Sequence, residues 1–302
     1  MGGVTFIVPV FNKSKYLKYV LDSIQKQEGA FDREYIFIND GSTDDSYEIL
    51  KENTKNWKNC YIFSQENHGS ANATNRGIFR ASNEFIKFLD ADDVLLTSAT
   101  YSLLELLKKN NKSILSFGLQ EKIGNISDAN LSRTIDLKEI EIIQNPINLA
   151  IRNSMFNPSQ FLVKTEICKK VGGCDERIRH SQEYSLTLKL SQEGTFIKLN
   201  QIVAILPFRA PGQISENKVQ QIYRVSKALE LFLKDNEGLK IRTRKKAFRR
   251  LTGRAWRFAK RYHKHTVFSR WFALYLKGLL GLKKNLIKDC EEANTVYLKK
   301  TN

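Results

Sequence analysis

The stretch FIKFLDADDV, residues 85–94, decides how the rest of the chain is read. Phe85 to Leu89 is a short β-rich run of the kind that forms a buried strand. It ends in Asp90, Asp92 and Asp93, three carboxylates within four residues. Like charges crowded at a strand end cost stability unless a cation or a hydrogen-bond network offsets them.

Upstream, strand and helix patterns alternate. Val4–Val10 reads as a strand, followed by Asn12 as the cap of a helix carrying Leu17, Val20, Leu21 and Ile24 at 3–4 spacing. Tyr35–Ile38 is a second strand and Asp44–Glu52 a helix. Tyr61–Phe63, Ser70–Arg80, Phe85–Leu89 and Ser98–Leu107 continue the alternation. This order implies right-handed βαβ crossovers, hence an α/β fold with a largely parallel sheet flanked by helices. Sites on such sheets lie at the carboxyl ends of the strands. There the chain places Asn12, Asp40, Asn67-His68-Gly69 and the aspartate cluster, which together make one site.

Neither GxGxxG nor GxxxxGK[ST] occurs, so a dinucleotide fingerprint and a Walker loop are both excluded as its explanation. Asp90-Ala91-Asp92-Asp93 offers hard oxygen ligands suited to Mn²⁺ or Mg²⁺ bridging a diphosphate. The plainer alternative is a helix cap near Ser98 with solvated aspartates.

At 302 residues, 41% hydrophobic and 27% charged, the composition is that of a folded globular protein. The four cysteines form no CxxC pair, which argues against a zinc site and for free thiols in a reducing compartment. No basic leader precedes the first strand, and Phe6 breaks the myristoylation pattern, so a cytoplasmic location is expected.

Four stretches in order resemble the inverting glycosyltransferases of GT-A fold, family 2. These are Val8-Pro9-Val10-Phe11-Asn12, Asn39-Asp40-Gly41-Ser42-Thr43-Asp44, Asn67 through Ile78, and Glu84 through Asp93. The resemblance implies a UDP-sugar on the rim, with Pro9 and Phe11 lining the base pocket and Asp40 accepting from the uracil. It sets Asp90 near the ribose, and Asp92, with Asp93 nearby, on the metal of the DXD motif. Asn12, Asn67, Asn75, Arg76 and Ala91 belong to the same donor-binding set.

An inverting transfer also needs a base for the acceptor hydroxyl. In the stretch 182–190, QEYSLTLKL, which is similar to the family's catalytic helix, Glu183 stands where the family has its catalytic Asp. Gln182 replaces a Glu and Lys189 an Arg. Asn39 stands for an Asp and Thr74 for an Arg, a loss for which Arg76 would compensate. In 208–215, FRAPGQIS, the family's histidine is missing, and Arg209 either faces the diphosphate or ends a strand. His68 and His180 are left outside the catalytic set.

Charge divides the chain at residue 223. Of the Lys and Arg residues, 27 lie in 1–223 against 26 acids, and 22 in 224–302 against 6. The expected division is therefore a catalytic domain, 1–223, with donor and acceptor halves meeting near 110, and a basic helical region, 224–302. Lys240 to Arg261 holds eleven cations and no acid. Phe248, Leu251, Ala255, Phe258 and Tyr262 fall on one helix face and Arg250, Arg254, Arg257 and Arg261 on another. The following Val267–Leu280 is apolar but carries Arg270 and Lys277, so it should not span a bilayer.

Three roles fit this tail: packing on the catalytic domain, lying on anionic lipid through residues 240–284, or binding nucleic acid. The lipid reading is preferred, and with it a peripheral position on the inner face of the cell membrane. The expectation is a metal-assisted transferase acting on a glycan or lipid-linked glycan in polysaccharide biosynthesis. A GDP- or dTDP-sugar donor is one rival; a non-catalytic fold that tethers membrane or nucleic acid is another.

Overall fold

A computed structural model describes residues 2–180, 182–208, 217–281 and 285–298. The stretch holding Arg209, and Lys283 and Lys284 of the tail, lie outside the described residues. In chain order the elements are β1 (Val4–Val10), α1 (Ser14–Gln25), β2 (Arg33–Asp40), α2 (Ser46–Thr54), β3 (Cys60–Gln65) and α3 (Ser70–Arg80). Next come β4 (Phe85–Phe88), β5 (Val94–Leu95), α4 (Ala99–Lys109), β6 (Ser113–Ile123), β7 (Ile140–Ile143) and α5 (Ile147–Ala150). The second half adds β8 (Phe161–Lys164), α6 (Thr165–Lys170), α7 (Gln182–Leu190) and β9 (Thr195–Pro207). It closes with α8 (Lys218–Asp235), α9 (Ile241–Tyr262), α10 (Arg270–Leu280) and α11 (Leu286–Asn294).

One sheet runs β3-β2-β1-β4-β8-β6-β9-β5, with β7 on β9. Its first four strands are parallel, as the βαβ alternation requires. Beyond β4 the sheet is mixed: β8 is antiparallel to both β4 and β6, while β6 and β9 run parallel. β1, β2 and β4 are buried along nearly their whole length and mostly apolar, as strands covered on both faces are, while β3 at the sheet edge is half-buried. Gly77 is what lets α3 approach β1, since a Cβ there would stand 2.4 Å from Cγ2 of Ile7.

Asn12 does not cap α1. It takes φ 52°, a left-handed value that Asn tolerates better than most residues, and its Oδ1 accepts from the backbone N–H of Thr43 at 2.8 Å. The start of α1 is held from the next loop instead: Ser14 N–H donates to Asp44 Oδ2 (3.0 Å) and Lys13 N–H to Ser46 Oγ (2.8 Å). The β1–α1 and β2–α2 turns are thereby locked together, which fixes two of the loops that form the rim.

The tail folds as helices, but α8 crosses residue 223 and packs on α7, α9 and α11. Phe248, Leu251, Ala255 and Phe258 are buried in a core shared with Tyr184 and Leu188 of α7 and Trp271 of α10. The apolar face of α9, expected to lie on lipid, is therefore covered by protein. Burial of its large side chains, Phe248, Leu251 and Phe258, contributes about 1.5–3 kcal/mol each. Among the described residues no helix is long and apolar enough to cross a membrane.

Candidate active site

A cavity of about 860 Å³ opens at the carboxyl ends of β1, β2 and β4. The first turn of α7 and the Pro158–Gln160 turn close one side, and α8 reaches in with Gln221 and Arg224. Pro9, Phe11, Asp40, Asn67, Asp90, Ala91, Asp92, Asp93 and Glu183 all line it. Residues spread over more than 170 positions thus converge on one space, as the strand-end argument requires.

Three expected residues do not. Asn12 bridges the two rim loops as described. Asn75 is buried and joins α3 to the turn before α7, its Nδ2 donating to Cys174 O (3.0 Å) and Glu176 Oε1 (2.7 Å) and its Oδ1 accepting from Cys174 N–H. Arg76 points along the outside of β3, donating to Ser64 O (2.8 Å) and Gln65 Oε1 (3.0 Å) over the Phe63 ring. It does not replace the missing arginine at Thr74, which is buried beside Asp90 and Glu183.

Asp40 is buried at the end of β2. It accepts from Gln65 Nε2 (2.7 Å), His68 N–H (3.0 Å) and Gly69 N–H (2.9 Å). Those bonds pin the carboxylate, and a carboxylate's four lone-pair positions leave one for a further donor in the cavity.

The aspartate cluster is offset by groups the sequence did not point to. Lys13 Nζ lies 2.5 Å from Asp92 Oδ2. Ser159, buried in the Pro158–Gln160 turn, donates to Asp93 Oδ2 at 2.5 Å and accepts from Asp90 N–H at 3.1 Å. Lys87, fully buried in β4, donates to Phe88 O (2.9 Å) and Ser159 O (2.6 Å) and so ties that turn to the strand. A lysine inside an otherwise apolar strand was the available signal for Lys87. Ser159 had none, being 66 residues from its partner.

Electrostatics mark the site as unusual. Burial, then the charges of Asp92 and Glu183, push Asp90 up to about 7. Burial and its aspartate neighbours hold Asp93 well above the usual carboxylate range. Burial lowers Lys87 to about 7 and raises Glu183 to about 6. His180 is lowered by burial and by Arg224 and Arg179. Carboxyls displaced in this way are the pattern expected of a catalytic centre.

The donor set fits a divalent ion in one way. Among the described residues no three His, Cys, Asp or Glu groups are placed to hold one ion together, and Asp93 is engaged by Ser159. Asp92, which lines the cavity and among the described residues is held only by Lys13, suits an ion that takes most of its ligands from a diphosphate.

Residues 5–172 match the family model described as glycosyl transferase family 2, and the chain belongs to that family. It is 38% identical over 110 residues to a poly-beta-1,6-N-acetyl-D-glucosamine synthase of Staphylococcus epidermidis, a match covering 36% of this chain and 26% of that protein. The chain thus spans about a quarter of the length of the curated relatives it matches. Among solved structures, S. aureus TarS 1–349 in complex with UDP-GlcNAc superposes with a TM-score of 0.68 at 16% identity, covering 98% of this chain and 90% of that one. A mannosyltransferase, PcManGT from Pyrobaculum calidifontis, in complex with GDP-Man and Mn²⁺, gives 0.59 at 14% identity, covering 98% and 85%. These likenesses show the GT-A fold.

Proposed function

We propose that the protein transfers a sugar from a UDP-sugar to a hydroxyl group of a glycan acceptor, with inversion at the anomeric carbon. The observation that carries this is the meeting of Glu183 with Asp90 and Asp92 across one cavity, although they come from opposite halves of the chain. Pro9, Phe11 and Asp40 would receive the uracil, with Asp40 accepting from its N3–H. Asp90 would receive the ribose.

Asp92 would hold Mn²⁺ or Mg²⁺, which when bound neutralises charge on the leaving diphosphate. Lys13, now paired with Asp92, stands close enough to follow that diphosphate. Glu183 takes the proton from the acceptor hydroxyl. With a pKa of about 6 it is ionised at neutral pH yet remains a stronger base than a solvated carboxylate.

UDP-GlcNAc is the first donor to test, because TarS was solved with it and the Staphylococcus synthases are named for polymers of N-acetylglucosamine. Gln221 and Arg224 favour counting α8 with the catalytic unit. The test is release of UDP from UDP-GlcNAc with Mn²⁺ and a polysaccharide acceptor. Release that Glu183→Gln abolishes supports the proposal; release that the variant leaves unchanged removes Glu183 as the base.

A further inference from the structure

The C-terminal helices leave a second cavity of about 1210 Å³, which shares no lining residue with the first. It lies between the turn into α5, the N-terminal half of α9 and the end of α10. Lys240, Arg242, Lys245, Lys246 and Arg249 line it, and among the described residues no carboxylate does. None of the five forms an ion pair among the described residues; Lys246 donates only to the neutral Asn148 Oδ1, at 2.9 Å. Five cations converging without an anion repel one another, an arrangement that a ligand supplying the negative charge would relieve. Gly281 closes α10 in the left-handed region, φ 67°, and sets the end of that helix against the Lys245 side chain.

The rim is apolar. Leu280, which lines it, is 72% exposed and Leu279, beside it, 37%. A soluble polyanion accounts for the cations but gives no reason for two exposed leucines beside them. An anionic lipid surface accounts for both, with phosphates in the groove and apolar side chains in the headgroup boundary.

We propose that this groove receives the phosphate headgroup of an anionic phospholipid and docks the C-terminal helices on a membrane surface. The contact is the N-terminal half of α9 with the tip of α10, and the apolar face of α9 takes no part. Vesicle binding requires no donor and no turnover, so the proposal stands or falls separately from the transfer reaction.

The test is co-sedimentation of the full chain with vesicles of phosphatidylcholine alone, or of phosphatidylcholine with phosphatidylglycerol. The variants are Lys245→Glu/Arg249→Glu, a matched pair Lys260→Glu/Arg261→Glu at the far end of α9, and Leu280→Ser. Circular dichroism melts confirm that each is folded. Wild type should bind only the anionic vesicles, and more weakly as salt rises. Each cation beside such a surface contributes about fivefold in affinity, so the groove pair should lose at least about twentyfold and the distant pair clearly less. Leu280→Ser should weaken vesicle binding and leave binding of sodium polyphosphate unchanged. Equal losses for the two charge pairs would overturn the proposal, as would binding of polyphosphate or single-stranded DNA with none of vesicles.

Discussion

Glu183→Gln is the most informative single change. It preserves shape but replaces the carboxylate with an amide too weakly basic to take the acceptor's proton. A positioned general base contributes about 10²–10⁴-fold, so kcat should fall by that factor, about 2.7–5.5 kcal/mol in the barrier. Donor binding should change little, because in the proposed arrangement the uracil, ribose and diphosphate would face Asp40, Asp90 and Asp92. A second consequence follows from the electrostatics. Glu183 is one of the charges that raise Asp90, so its removal should let Asp90 ionise at lower pH.

The wild-type pH profile gives the sign. A base raised to about 6 is protonated and inactive below that value, so kcat/KM should climb with pH through about 6 and level off above it. The assay is UDP release across pH 5–8.5 for wild type and variant, with the Kd for UDP measured alongside. A variant within threefold of wild type in kcat, or a wild-type limb displaced far from 6, would refute the assignment.

Asp92→Asn should lose metal-dependent UDP binding by at least about a hundredfold in calorimetry, since removing a ligand's charge weakens both the ion and the diphosphate it bridges. Ser159→Ala leaves the buried Asp93 carboxyl without its donor, and should lower stability by about 1–3 kcal/mol in a urea titration. Gly77→Ala forces a Cβ against Ile7 in a close-packed layer, and should cost about 1–3 kcal/mol by the same assay without altering donor contacts.

The first hundred residues were legible because their signals are local. Apolar periodicity set the elements, and α3 was placed at Ser70–Arg80 with both ends correct. The second half depends on pairings that span long stretches of chain, such as β4 with β8 and β6 with β9, which no window of sequence reveals. The site shows the same division. Asp40, Asp90 and Asp92 announced themselves by position at strand ends, whereas Arg179, Gln221 and Arg224 reach the cavity, and Ser159 reaches Asp93, only through tertiary packing. Asn75 and Arg76 sat in the right motif but turn away, because a helix projects side chains in every direction and only one face meets the site. The stripe on α9 was real, yet periodicity reports only that a face is apolar. Here that face is covered by α7, α8, α10 and α11.

The central claim, that the rim of this sheet binds a nucleotide diphosphate through a divalent ion, is tested most directly by calorimetric titration of UDP with Mn²⁺ and again with EDTA. Saturable binding of UDP that EDTA abolishes, with GDP, CDP and dTDP markedly weaker, is the predicted result. No binding of any nucleotide in the presence of Mn²⁺ would contradict the account.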